Sequence, residues 1–87
     1  PDSPLPYSNR SYSNLKLGFT KQALIDINKS LTLFPENSYA YRNRALIYIK
    51  LNEFEKACID IETAIKLGFN EKYGSELDIL KIENCKK

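Results

Sequence analysis

Residues 38–71, SYAYRNRALIYIKLNEFEKACIDIETAIKLGFNE, decide the fold because they align without a gap with the block immediately before them, 4–37. Ten of the aligned positions are identical, far more than a chance alignment gives. The identical pairs are Tyr7/Tyr41, Asn9/Asn43, Arg10/Arg44, Lys16/Lys50, Leu17/Leu51, Ala23/Ala57, Ile25/Ile59, Asp26/Asp60, Ile27/Ile61 and Leu33/Leu67. A period of about 34 residues is typical of repeat proteins that stack one supersecondary unit on the next.

Each repeat is predicted to form two helices joined by a short turn. Pro4 and Pro6 suit the first turn of a helix, where the amide groups have no intrahelical partner. Gly18 and Gly68 suit helix ends, and Pro35 cannot continue a helix. The predicted helices cover residues 4–17, 20–33, 37–51 and 53–67. Because the connections are short, the helices of each repeat should be antiparallel neighbours.

The second helix of each repeat is predicted to bury one face. Apolar or small residues recur there at intervals of three and four, which is the spacing of one side of a helix. These residues are Ala23, Ile27, Ser30 and Leu31 in the first repeat, and Ala57, Ile61, Ala64 and Ile65 in the second. A single helical hairpin cannot bury such a face alone, so the hairpins should stack.

The period and the order of large and small side chains resemble the tetratricopeptide repeat (TPR). The second repeat matches the family pattern with Tyr41, Ala45, Tyr48, Ala57, Ile61 and Ala64. The first repeat carries Tyr7, Ser11, Ala23, Ile27, Ser30 and the closing Pro35. Departures from the pattern are Asn14 at the aromatic position, Arg10 and Arg44 at a usual leucine, and Phe69 at the last proline.

The resemblance implies an all-α superhelix in a single domain over residues 1–87. Its two hairpins, 4–37 and 38–71, would be followed by a solvating helix over residues 72–87, which makes five helices. Apolar residues in this last segment, among them Leu77 and Leu80, are expected to cover the exposed face of the second hairpin.

In TPR proteins the first helix of each hairpin lines a concave groove that binds peptides. The predicted groove residues are Tyr12, Leu15, Lys16, Tyr39, Arg42, Asn43, Leu46, Ile49, Lys50 and Tyr73, with Leu5, Ser8 and Glu76 at the margins. Such a lining would suit an extended or helical peptide that offers an apolar side chain and an acidic group. The alternative is that Leu15 and Ile49 only pack and that the cations only solvate the surface.

Asn43 lies in an Asn-Arg-Ala run that is similar to the one in chaperone-binding TPR domains. Those domains clamp a carboxylate with further Lys, Asn and Arg residues. The corresponding positions here hold Ser8, Tyr12, Tyr73 and Leu77. A chaperone-tail adaptor is therefore not expected, and hydrogen bonds between helices explain Asn43 better.

Cys58 and Cys85 lack the close spacing of a zinc site. If the closing helix packs antiparallel on the second helix of repeat two, Cys85 falls within about one turn of Cys58. The pair is then either two buried thiols, as in a cytoplasmic protein, or a disulfide. A disulfide would indicate an oxidising compartment and a periplasmic or exported protein.

The composition favours a binding module over an enzyme. The chain has no histidine, no glycine-rich phosphate loop and no nucleophile beside a plausible base, so we expect no catalytic residue, cofactor or metal. Asp26 and Asp60 are interpreted as solvated helix residues. A net charge of +2 with scattered basic residues argues against nucleic acid, and no apolar run is long enough for membrane insertion. The alternative is a self-assembling homo-oligomer or a fragment of a longer array.

Overall fold

The computed structural model describes the backbone of residues 4–85 and the side chains of residues 9–85. This part of the chain is all-α, as predicted, and contains no strand. Its helices are α1 (Pro4–Lys16), α2 (Thr20–Leu33), α3 (Ser38–Lys50), α4 (Phe54–Lys66), α5 (Phe69–Tyr73) and α6 (Glu76–Asn84). The first four differ from the predicted bounds by at most one residue at each end.

Two helical hairpins, α1 with α2 and α3 with α4, form the body of the molecule, and α3 also packs against α1 and α2. The turn inside each hairpin is built in the same way. Gly18 and Asn52 occupy equivalent repeat positions, and both have positive φ angles, of 86° and 62°. The next amide, of Phe19 or Glu53, donates to a carbonyl five residues back and closes the preceding helix.

Small residues lie at the places where the helices meet. Three pairs of small residues at equivalent positions of the two repeats are all fully buried: Ser11, Ala23, Ser30, Ala45, Ala57 and Ala64. Ser11 also donates its hydroxyl to the carbonyl of Ala23 at 2.8 Å, which satisfies a polar group that burial would otherwise penalise. Small side chains at these points let the backbones of neighbouring helices approach closely.

Helix α3 is central because it contributes to two apolar clusters. Ala40 and Ile47 join one cluster with residues of α2. Ala45 joins another with residues of α4 and with Phe69 and Leu77. The predicted faces of α2 and α4 are buried, apart from Ile65, which is half-buried.

The segment after α4 forms two helices, so the described chain has six helices where five were predicted. Gly74 has a φ of 103°, which a right-handed helix cannot accommodate, and Ser75 separates α5 from α6. The fully buried Leu77 anchors α6 on the second apolar cluster, as expected for a closing helix. No helix within residues 4–85 is both long and apolar enough to cross a membrane.

Candidate functional site

Six of the ten predicted groove residues line one pocket of about 380 Å³ between α1 and α3. We call it the inner pocket; its lining residues are Tyr12, Leu15, Lys16, Leu46, Ile49 and Lys50. They form three pairs, each made of equivalent positions in the two repeats. The repeat itself therefore builds the pocket, because equivalent positions on two adjacent helices face the same space.

The two lysines give the inner pocket a positive rim above an aliphatic floor. Lys16 and Lys50 are the last residues of α1 and α3, and neither forms an ion pair among residues 9–85. The Lys16 ammonium lies 5.6 Å from the centre of the Tyr12 ring. Neither α1 nor α3 contains an acidic residue, so no carboxylate from these helices offsets the two charges.

Arg42 is a predicted groove residue whose guanidinium is already paired. Its Nε and Nη2 donate to both oxygens of Glu76 at 3.0 and 2.9 Å. The guanidinium carbon also lies 5.2 Å from the Tyr12 ring centre and 5.4 Å from that of Tyr39. Burial lowers the pKa of Arg42, but the hydrogen bond and the charge of Glu76 outweigh it and raise that pKa. Arg42 thus connects α3 to α6. It also contacts both the Tyr12 ring at the inner pocket and the Tyr39 ring, and these aromatic side chains form a row along the surface.

Tyr39 and Tyr73 continue this row beyond Arg42. Their ring centres are 5.5 Å apart, and the Tyr73 ring is 4.8 Å from that of the buried Phe69. Tyr73 remains about half exposed. One connected surface, from Lys50 to Tyr73, therefore holds nine of the ten predicted residues.

Asn43, the tenth predicted residue, is fully buried and cannot line an open groove. Its side-chain oxygen accepts a hydrogen bond from Arg42 Nη1 at 2.7 Å. Asn43 therefore helps to orient the Arg42 guanidinium and does not contact a ligand in the groove. The marginal residues Leu5 and Ser8 lie outside the side chains that the structure describes.

The interpretation of Asp26 and Asp60 as solvated residues is wrong. Both are 2% exposed, and each receives two hydrogen bonds from an arginine 16 residues earlier. Arg10 pairs with Asp26, and Arg44 pairs with Asp60 at the equivalent positions of the second repeat. The hydrogen bond to Asp60 raises the pKa of Arg44. Burial lowers that pKa, but the hydrogen bond and the charge of Asp60 outweigh this effect. The signal was present in the sequence, because both partners recur together in the second repeat.

The Sγ atoms of Cys58 and Cys85 lie at disulfide distance, and the Cα atoms of the two residues are 5.8 Å apart. The bond connects α4 to the end of α6. Lys81 also approaches Glu62 at 3.3 Å, which fits the same antiparallel register. Of the two possibilities that the sequence left open, the structure therefore has the disulfide.

Neither protein-family models nor curated proteins give a relative for the chain. Among the described residues, no group of three or more Cys, Asp or Glu side chains could hold a metal ion. The inner pocket, with its charged rim, apolar floor and adjoining aromatic residues, is the candidate site because equivalent positions of the two repeats converge there.

Proposed function

We propose that the chain is a non-enzymatic scaffold of the TPR type that binds a peptide segment of a protein partner. The observation that carries this proposal is the inner pocket, where three pairs of equivalent repeat residues converge. Two stacked hairpins with small residues at the helix contacts further support a TPR-like superhelix.

The chemistry of the lining indicates the class of ligand. The aliphatic floor of Leu15, Leu46 and Ile49 would accept one apolar side chain of the ligand. The ammonium groups of Lys16 and Lys50 would bind acidic groups on either side of it. Tyr39 and Tyr73 offer partly exposed aromatic rings that would contact further side chains of the ligand. The ligand is therefore an acidic segment with an apolar residue at its centre.

The Cys58–Cys85 pair adds a proposal about location. Disulfides persist in oxidising compartments and are rare in the cytosol. Because the bond joins the closing helix to the body of the molecule, we place the working protein in an oxidising compartment, as an exported or periplasmic protein.

Peptides that bind the immobilised domain can be selected from a random phage-displayed library. Charge reversal at Lys50 should weaken the binding of these peptides. The selected peptides should be acidic around an apolar residue. The Lys50→Glu variant should bind them at least about tenfold more weakly, because it replaces an attraction by a repulsion at the pocket rim. Fluorescence anisotropy of a labelled selected peptide measures the change.

Lys66→Glu is the matched control, since Lys66 is the last residue of α4 as Lys50 is of α3. Both variants lose the same favourable charge near a helix C-terminus and acquire the same net charge. An equal loss of affinity in the two variants would show that the protein responds only to overall charge. Failure to select any peptide would contradict the proposed function itself.

A further inference from the structure

Four large apolar side chains are exposed beside the two hairpin turns. Leu17 and Phe19 belong to the turn between α1 and α2, and Leu51 and Phe54 flank the turn between α3 and α4. Their exposed fractions range from 36% to 67%. The two turns are neighbours, because residues 18–22 and Leu51 line one cleft of about 690 Å³. We call these four residues the turn edge.

Lysines surround the turn edge and leave it with a positive charge. Lys16, Lys21 and Lys50 each lie within two residues of a turn-edge side chain, and none forms an ion pair within residues 9–85. Of the acidic residues there, Glu53 is already paired with Lys56 at 2.8 Å. Glu55 offsets one of the three lysines, so the edge remains cationic.

The amide groups of both turns already donate hydrogen bonds within the chain. The amides of residues 17–19 and 51–53 all donate to carbonyls of the preceding helix, at 2.8 to 3.1 Å. An apolar environment penalises unsatisfied amide groups heavily. These turns therefore present apolar side chains on a backbone whose amide donors are satisfied internally.

We propose that the turn edge adsorbs to the surface of an anionic membrane. Leu17 and Phe19 enter the boundary between headgroups and acyl chains, and the three lysines contact the anionic headgroups. Asn52 and Glu53, at the tip of the second turn, keep the contact shallow. No helix needs to cross the bilayer.

Other occupants fit this edge less well. A second copy that used the same edge would bring the two sets of lysines together. A nucleic acid would match the positive charge but would leave the aliphatic side chains of Leu17 and Leu51 without an apolar partner. A lipid surface satisfies the charge and the apolar side chains together. The turn edge shares Lys16 and Lys50 with the rim of the inner pocket, but Leu17 and Phe19 do not line that pocket. Variants at these two apolar residues therefore test membrane binding separately from peptide binding.

Vesicle co-sedimentation tests the proposal with the disulfide-bonded chain. The chain should bind vesicles of phosphatidylcholine containing about one third phosphatidylserine, and should not bind phosphatidylcholine alone. The double variant Leu17→Ser, Phe19→Ser should lower the partition coefficient about tenfold, because two apolar side chains no longer enter the interface. Added salt should also release the parent protein.

The matched control is the double variant Ile79→Ser, Ile82→Ser on α6. The exposed fractions of these two isoleucines, 54% and 70%, are similar to those of Leu17 and Phe19, 67% and 58%. It should bind the anionic vesicles like the parent, and circular dichroism should show both variants folded. Equal binding to both kinds of vesicle, or an equal loss in the two variants, would overturn the proposal. So would light scattering that shows the parent as a dimer and the turn-edge variant as a monomer, because the occupant would then be a second copy.

Discussion

Replacing Arg44 by methionine should lower the free energy of unfolding by about 3 kcal/mol. The substitution keeps most of the aliphatic volume but removes both hydrogen bonds to Asp60, of 2.8 and 2.9 Å. The Asp60 side chain is only 3% exposed, so water cannot replace the lost donors. A buried carboxylate without a partner is costly, and the loss is large for a domain whose total stability is about 4–13 kcal/mol.

Urea unfolding followed by circular dichroism measures this effect, and Arg10→Met is its control in the first repeat. Arg10 holds the equivalent position, but Asn14 also donates to Asp26, at 2.9 Å, and remains in place. The Arg10 side chain is itself 60% exposed. We therefore expect a loss of only about 1 kcal/mol there. Equal losses at the two positions, or none at Arg44, would contradict the role given to the buried carboxylates.

Removing the Cys58–Cys85 disulfide should lower the free energy of unfolding by about 3–4 kcal/mol. The bond closes a loop between residues 27 apart, and its loss restores conformational entropy to the unfolded chain. The closing helix should stay attached in the native state, because Leu77 is fully buried and Glu76 still pairs with Arg42. The reduced protein should therefore remain folded but should unfold at a lower urea concentration.

The double variant Cys58→Ala, Cys85→Ala separates the bond from side effects of the reductant. Dithiothreitol should shift the unfolding midpoint of the parent and leave that of the double variant unchanged. A parent protein whose midpoint does not respond to dithiothreitol, and whose mass shows two free thiols before reduction, would contradict the disulfide.

The bounds of the first four helices and the position of the six inner-pocket residues on α1 and α3 follow from the sequence for one physical reason. The gapless repeat places equivalent side chains on equivalent faces, so Leu15 and Ile49 had to face the same side once the hairpins stacked. The burial of the small residues follows from the same repetition. These features needed no knowledge of long-range contacts outside the repeat.

Other features depend on contacts that periodicity does not carry. The state of Arg42 is set by Glu76, which lies beyond the repeats on a helix whose position depends on the break at Gly74. Asn43 is buried because α3 packs on several sides, so its polar character gave no clue to its surroundings. The burial of Asp26 and Asp60 depends on their pairing with Arg10 and Arg44, which the helical periodicity of the aspartates alone does not indicate.

Chemical-shift mapping on a ¹⁵N-labelled sample, titrated with a peptide selected from the random library, tests the central claim most directly. If the inner pocket binds the peptide, the largest changes should occur at the amides of Leu15, Leu46, Ile49 and Lys50, with smaller changes at Tyr39 and Tyr73. If the largest changes occur instead on α2 and α4, around Ile25 and Ile59, the inner pocket is not the binding site and the central claim is wrong.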